Sequence, residues 1–139
     1  MLRITAEDVE ERRDTDPNAV SGQIVDSAIK VHSALGPGLL ASAYQACLSF
    51  ELRRRGLRVQ QQLVLPIIYE GERIDAGYRI DLLVEHCVII EIKAIQAVLP
   101  IHEAQLLSYL RLSGQKVRLL LNFHVPHMRD GVKRMVNAL

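Results

Sequence analysis

Within the stretch YRIDLLVEHCVIIEIK, residues 78–93, three charged side chains interrupt a run otherwise rich in Ile, Leu and Val: Asp81, Glu91 and Lys93. Such a run reads as strand buried on both faces, where an ion costs several kcal/mol unless it has a partner or a task. Two carboxylates brought together resist joint ionisation unless positive charge lies between them. Lys93 supplies part of that charge. A hard divalent ion, Mg²⁺ or Mn²⁺, supplies more, because it binds through one or two carboxylates and keeps waters that a phosphate can displace. The chemistry on offer is therefore hydrolysis at phosphorus. The ion would neutralise phosphate oxygens and activate water, and the ammonium would orient that water or stabilise the transition state.

For these side chains to meet, residues 77–84 and 87–93 must be neighbouring antiparallel strands around a tight bend at Glu85-His86. Asp81 and Glu91 then come nearly opposite each other, and Lys93, two residues past Glu91, shares its face. The flanking sequence supplies the rest of a domain. Asn18 is a plausible N-cap for a helix whose apolar positions Val20, Ile24, Ala28, Ile29 and Leu35 fall on one face until Gly36-Pro37-Gly38 stops it. A second helix spans about Leu39 to Arg55, with Leu40, Tyr44, Cys47, Leu48 and Leu52 as its buried stripe and Gly56 as its stop. Residues 57–69 read as strand, with Pro66 marking an edge or bulge and Glu70-Gly71 a turn. Pro100 opens an amphipathic helix that Gly114 ends, VRLLLNF is a buried strand, and the tail from Asp130 reads as a short amphipathic helix. A strand, a helix and a further strand in succession imply a parallel crossover. The expected fold is α/β: a mixed four-stranded sheet flanked by helices, in the order α-α-β-β-β-α-β-α.

The chain of 139 residues, 49% hydrophobic and 24% charged, suits one globular domain over 18–139, preceded by a solvated arm at 1–17. A net charge of +1 excludes a global basic field, so any nucleic-acid contact must come from a local patch. Cys47 and Cys87 are too few and too embedded in apolar sequence for a disulfide framework or a zinc quartet, and both read as core. With no apolar signal region and no membrane-length segment, a cytoplasmic, reducing setting is expected.

The motif Asp81…Glu91-Ile92-Lys93, with a helix before it and helix and strand after it, resembles the PD-(D/E)xK nuclease superfamily. More closely, GPGLLASAY, YRIDLLV, IIEIKA, HEAQLLSYLRLSG and NFHVPHMRDGVKR resemble successive blocks of the small bacterial and archaeal GxxExxY proteins, over about residues 20–137. The resemblance implies a restriction-endonuclease-like core. It also implies Asp81 and Glu91 as metal ligands, the Ile92 carbonyl as a further ligand, and Lys93 as the catalytic lysine. Gln105 matches a polar position that faces the site and helps hold water, lysine or phosphate, and Tyr44 matches the family tyrosine. One position departs from the pattern: Ala41 stands where the family glutamate is expected, which removes negative charge and should lower metal affinity. A natural one-metal variant, a degenerate homologue that only binds, and an engineered inactive form all account for Ala41. Gln45, one turn on, offers an amide oxygen, a poor replacement for a carboxylate.

Structural readings compete at each position. The three charges also suit an ion-pair network. Gln105 suits a helix surface, and Tyr44 a core ring with a tethered hydroxyl. His124 and His127 form an HxxH without the two further ligands zinc requires, so they read as loop. His32 and His86 carry no assigned chemistry, and His102, beside Glu103, either caps its helix or lines the cleft. Arg53, Arg54, Arg55 and Arg58 end the second helix, where cations complement its dipole. If the substrate is nucleic acid, they are the place for phosphate contacts, together with Lys116, Arg118, Lys133 and Arg134. Aromatics at 4% argue for contact with the sugar-phosphate backbone over base stacking. The function expected is Mg²⁺- or Mn²⁺-dependent phosphodiester hydrolysis of nucleic acid, DNA ahead of RNA, with a homodimer completing the cleft left open. The alternative is a catalytically inactive nuclease-fold module that binds without turnover.

Overall fold

The computed structural model describes residues 16–114 and 117–136. The arm expected at 1–17 falls largely outside them, as does Lys116. Helix α1 (Pro17–Leu35) begins one residue before the expected cap, because Pro17 lacks an N–H and its fixed φ suits the first helical turn. The N-cap is Asp16, whose carboxylate accepts the Asn18 N–H at 3.0 Å. Val20, Ile24, Ala28 and Val31 are buried, whereas Leu35 at the helix end is exposed. Gly36, at φ +69°, turns the chain out of the helix, and its N–H bonds to the His32 carbonyl at 2.8 Å. In α2 (Ala41–Arg54), Tyr44, Leu48 and Leu52 are fully buried, but Leu40 is the N-cap and stands 76% exposed, outside the expected stripe. Buried Glu51 joins the two helices, taking ion pairs from Lys30 of α1 and from Arg54 and Arg55.

Beyond α2 come β1 (Val59–Val64), a short hairpin of β2 (Ile67–Tyr69) and β3 (Glu72–Ile74), then β4 (Arg79–Val84) and β5 (Val88–Lys93). Helix α3 (Pro100–Ser113) leads to β6 (Val117–Asn122), and a 3₁₀ turn at Met128–Gly131 leads to β7 (Val132–Val136). The main sheet has the order β1-β4-β5-β6-β7, with β5 and β6 parallel across α3 and the other neighbours antiparallel. This is the mixed α/β core that the sequence predicts, with two corrections. The expected strand over 57–69 breaks at Pro66, which cannot donate to a ladder, and β2 pairs with β3 in a separate two-stranded sheet. The tail is a fifth strand of the main sheet instead of a helix. All six residues of β6 are buried, so β6 cannot serve as an open edge, and β7 covers it. Five residues of VKRMV are too few for periodicity to separate strand from helix.

Helices α1 and α2 cover one face of the sheet, where Ile24, Ala28, Tyr44, Leu48 and Leu52 pack with Leu82, Val84, Val88, Ile90, Leu119 and Leu121. Tyr44 anchors this layer. Its ring stacks on Phe123 with centroids 4.5 Å apart, while its hydroxyl donates to the Gly36 carbonyl (2.5 Å) and accepts the Leu39 N–H (3.1 Å). The loop between α1 and α2 is thereby tied to the core. A smaller cluster of Leu63, Leu65, Ile80, Leu83 and Ile89 forms separately. Helix α3 lies against β6 and β7, linked to β7 by the Glu103–Lys133 ion pair.

Candidate active site

The position of Glu91 is decided at the β4–β5 bend. Glu85 and His86 both adopt left-handed backbone, φ +50° and +54°, and the Cys87 N–H closes the turn on the Val84 carbonyl at 3.1 Å. A two-residue turn carried straight into its ladder would pair Val84 with Cys87, and Glu91 would then lie opposite Ile80. The ladder instead pairs Val84 with Val88, Leu83 with Ile89 and Leu82 with Ile90, so Cys87 is an extra residue and the continued register sets Asp81 opposite Glu91. A slip of one residue would send Glu91 to the other face. Two left-handed non-glycine residues cost about 1–2 kcal/mol each. Bonds to Arg58 offset that cost: the Glu85 N–H donates to the Arg58 carbonyl at 2.9 Å, and the Glu85 carboxylate pairs with the Arg58 guanidinium at 2.8 Å.

At Asp81 the two strands fork. The β4–β5 ladder ends at Leu82 and Ile90, and the Asp81 carboxylate (Oδ2) accepts the Ile92 N–H at 2.8 Å, a donor that a continued ladder would give to backbone. Glu91, only 6% exposed, lies within an ion pair: its Oε1 is 2.9 Å from Nη2 of Arg118, a fully buried residue of β6. Burial first, and the Asp81 charge second, push the Glu91 carboxyl up to about 7, against the pull of Arg118 and Lys93. Lys93 is half-buried and stands beside Asn122 in the parallel β5–β6 register. The Asn122 amide clamps the chain that follows Lys93, accepting the Ile95 N–H at 3.1 Å and donating to the Ile95 carbonyl at 2.9 Å.

The raised Glu91 carboxyl makes stability fall as pH rises. Between about 4.5 and about 7 the folded chain holds a proton that the unfolded chain has released, so this contribution is full at low pH and lost through about 7. The difference amounts to about 3 kcal/mol. Urea unfolding at fixed ionic strength should show this decline in the parent and its absence in Glu91→Gln, where no proton is exchanged. Equal slopes in the two proteins would contradict it. Asp81, Lys93 and Arg118 are the charged groups acting on Glu91, and replacing any of them should move the window.

Among the described residues no group of three or more His, Cys, Asp or Glu side chains could hold a metal. The Asp81–Glu91 pair still fits one hard cation completed by water. Its two carboxylates repel each other, a divalent ion relieves that repulsion, and the Ile92 carbonyl is adjacent in the chain.

The other expected site residues are dispersed. Gln105 is exposed on α3. Ala41 is half-buried in the first turn of α2 and packs on the core between the helices and the sheet. Gln45 accepts an amide hydrogen bond from Gln62 of β1 at 3.1 Å. His102 caps α3, its Nδ1 accepting the Leu99 N–H at 2.8 Å. His124 and His127 are both exposed. The arginines that end α2 are engaged within the chain: Arg53 with the Val59 carbonyl (3.0 Å), Arg54 with Glu51, Arg55 with Asp26 (2.7 Å) and Glu51, and Arg58 with Glu85. Arg134 donates to the Asn18 side chain at 2.5 Å. Arg118, grouped by sequence with surface phosphate contacts, is instead buried against Glu91. The signal for it was present, since Arg118 interrupts the apolar run VRLLLN as Asp81 and Glu91 interrupt theirs.

A mixed sheet flanked by helices, with an aspartate at a strand fork and a Glu-x-Lys on the next strand, defines a nuclease-like α/β core. The profile of the PD-(D/E)XK nuclease superfamily matches residues 18–135, and the chain belongs to that superfamily. No curated protein and no solved structure matches it. Nuclease-type phosphodiester hydrolysis is the chemistry of this class. Among the described residues no helix is long and apolar enough to cross a membrane.

Proposed function

We propose that the chain is a divalent-ion-dependent phosphodiesterase of the GxxExxY type, acting on nucleic acid, DNA before RNA. The observation that carries this reading is the approach of the Asp81 and Glu91 carboxyls at the β4–β5 fork, with Lys93 on the same strand as Glu91. Asp81, Glu91 and the Ile92 carbonyl would hold Mg²⁺ or Mn²⁺. When bound, the ion supplies charge neutralisation at the phosphate and activation of the attacking water. Lys93 orients that water and offsets negative charge as its oxygen bonds to phosphorus, the bridging P–O bond breaks, and the departing oxygen takes up a proton. Gln105 would position the ensemble from α3, and Arg53, Arg54, Arg55 and Arg58 would meet the sugar-phosphate backbone by exchanging their internal partners for phosphates. We place the protein in the reducing cytoplasm, in keeping with two cysteines that form no disulfide. A second copy closing the cleft belongs to the same proposal.

Ala41 favours a second reading, a nuclease-fold module that binds nucleic acid without turnover, because the carboxylate count is low. Cleavage of labelled duplex DNA, single-stranded DNA and RNA with Mg²⁺ or Mn²⁺, by the parent and by Ala41→Glu, tests both. Metal-dependent cutting by the parent supports the hydrolase. Cutting by Ala41→Glu alone supports the binding module, and cutting by neither protein, with nucleic acid still bound, does so too.

A further inference from the structure

Two carboxyls, Asp81 and Glu91, and two cationic side chains, Lys93 and Arg118, meet at the fork. Arg118 is the unusual member. It follows Val117 at the start of β6, stands beside Ile89 in the parallel register, is fully buried, and reaches Glu91 at 2.9 Å. A guanidinium does not lose its proton in a protein and is costly to bury without an acceptor. With no surface exposure it cannot dock a phosphate, so its use lies inside the chain.

We propose that Arg118 is the resident counter-cation of this site, holding the Glu91 carboxyl in the metal-free protein and competing with the divalent ion for it. The inference rests on the metal-binding reading above and adds to it the control of ion uptake. An arriving divalent ion finds a fixed cation already on Glu91, so like-charge repulsion weakens its binding. A phosphodiester brings negative charge with it and offsets that repulsion, which makes ion and substrate bind together. Arg118 is thus a positioning residue that couples ion uptake to substrate and limits uptake in its absence.

Titration of the full chain with Mn²⁺ at pH 8, followed by electron paramagnetic resonance, tests the competition. Arg118→Met is expected to bind Mn²⁺ at least about 10-fold more tightly than the parent, a gain that a merely structural arginine would not produce. Uptake by Arg118→Met that equals or falls below the parent's overturns the proposal. Uptake by neither protein overturns the metal-binding reading, and the competition with it. The pairing has its own readout in EDTA. Glu91→Leu alone should lower the folding equilibrium constant roughly 10²- to 10⁴-fold by removing the carboxylate that Arg118 pairs with, and the Glu91→Leu/Arg118→Met double variant should recover most of that loss. If Arg118→Met alone does not fold, Arg118→Gln, which keeps a donor near Glu91 without the charge, takes its place: tighter Mn²⁺ uptake than the parent's supports the competition, and equal or weaker uptake overturns it.

Discussion

Asp81→Asn is expected to lower metal-dependent cleavage by about 10³-fold or more while the protein keeps its fold. The amide oxygen of asparagine can still accept the Ile92 N–H that the Asp81 carboxylate takes at 2.8 Å, so the strand fork should persist. Half of the anionic charge that would hold the ion is lost. The Glu91 carboxyl should also fall below its present value of about 7, because the Asp81 charge is the second cause of its rise after burial. Glu91→Ala should abolish cleavage too, but less informatively. It takes from the buried Arg118 the carboxylate with which it pairs and costs about 3–5 kcal/mol of stability, so lost activity could reflect lost protein. Single-turnover cleavage beside urea midpoints separates the two effects. An Asp81→Asn protein that folds and cuts at the parent's rate would remove Asp81 from the mechanism.

The site was legible in sequence because charge inside an apolar strand is expensive, and Asp81, Glu91 and Lys93 violate the pattern of their run. Its register was only half legible. A turn at Glu85-His86 follows from local sequence, but the extra residue at Cys87, which sets Asp81 opposite Glu91, depends on left-handed backbone that neither Glu85 nor His86 advertises. Arg118 carries the same signal as Asp81, yet a lone arginine does not reveal which buried carboxylate lies on the adjacent strand. Both opening helices were visible from their apolar stripes and glycine stops. The N-cap of α1 lies two residues before the expected one, since Asp16 and Asn18 both have side chains that suit a cap. Strand β7 was hidden for a non-local reason: it forms because β6 needs its edge covered, and VKRMV on its own is ambiguous.

The same edge governs the second large effect expected, at Gly131. This glycine ends the 3₁₀ turn that feeds β7, and a Cβ built there would lie 2.0 Å from the Asn122 carbonyl oxygen and 3.1 Å from the Val125 side chain. Backbone cannot yield as a side-chain tip does, so Gly131→Ala must push β6 and β7 apart or bend the turn, costing about 3 kcal/mol or more. Gly71, at φ +77° in the exposed β2–β3 turn, is the natural control. Nothing lies near its missing Cβ, and Gly71→Ala should cost only about 1 kcal/mol through the left-handed backbone. The damage at Gly131 should also reach the site. Asn122 stands beside Lys93 in the register, the Phe123 N–H bonds to the Lys93 carbonyl at 2.9 Å, and the Asn122 side chain grips Ile95. Urea unfolding should place the Gly131→Ala midpoint far below those of Gly71→Ala and the parent. Any Gly131→Ala protein that remains folded in the cold should show reduced cleavage, because the end of β5 that carries Lys93 has moved. A Gly131→Ala midpoint matching that of Gly71→Ala would mean that β6 and the 3₁₀ turn are not in the close contact from which both effects are argued.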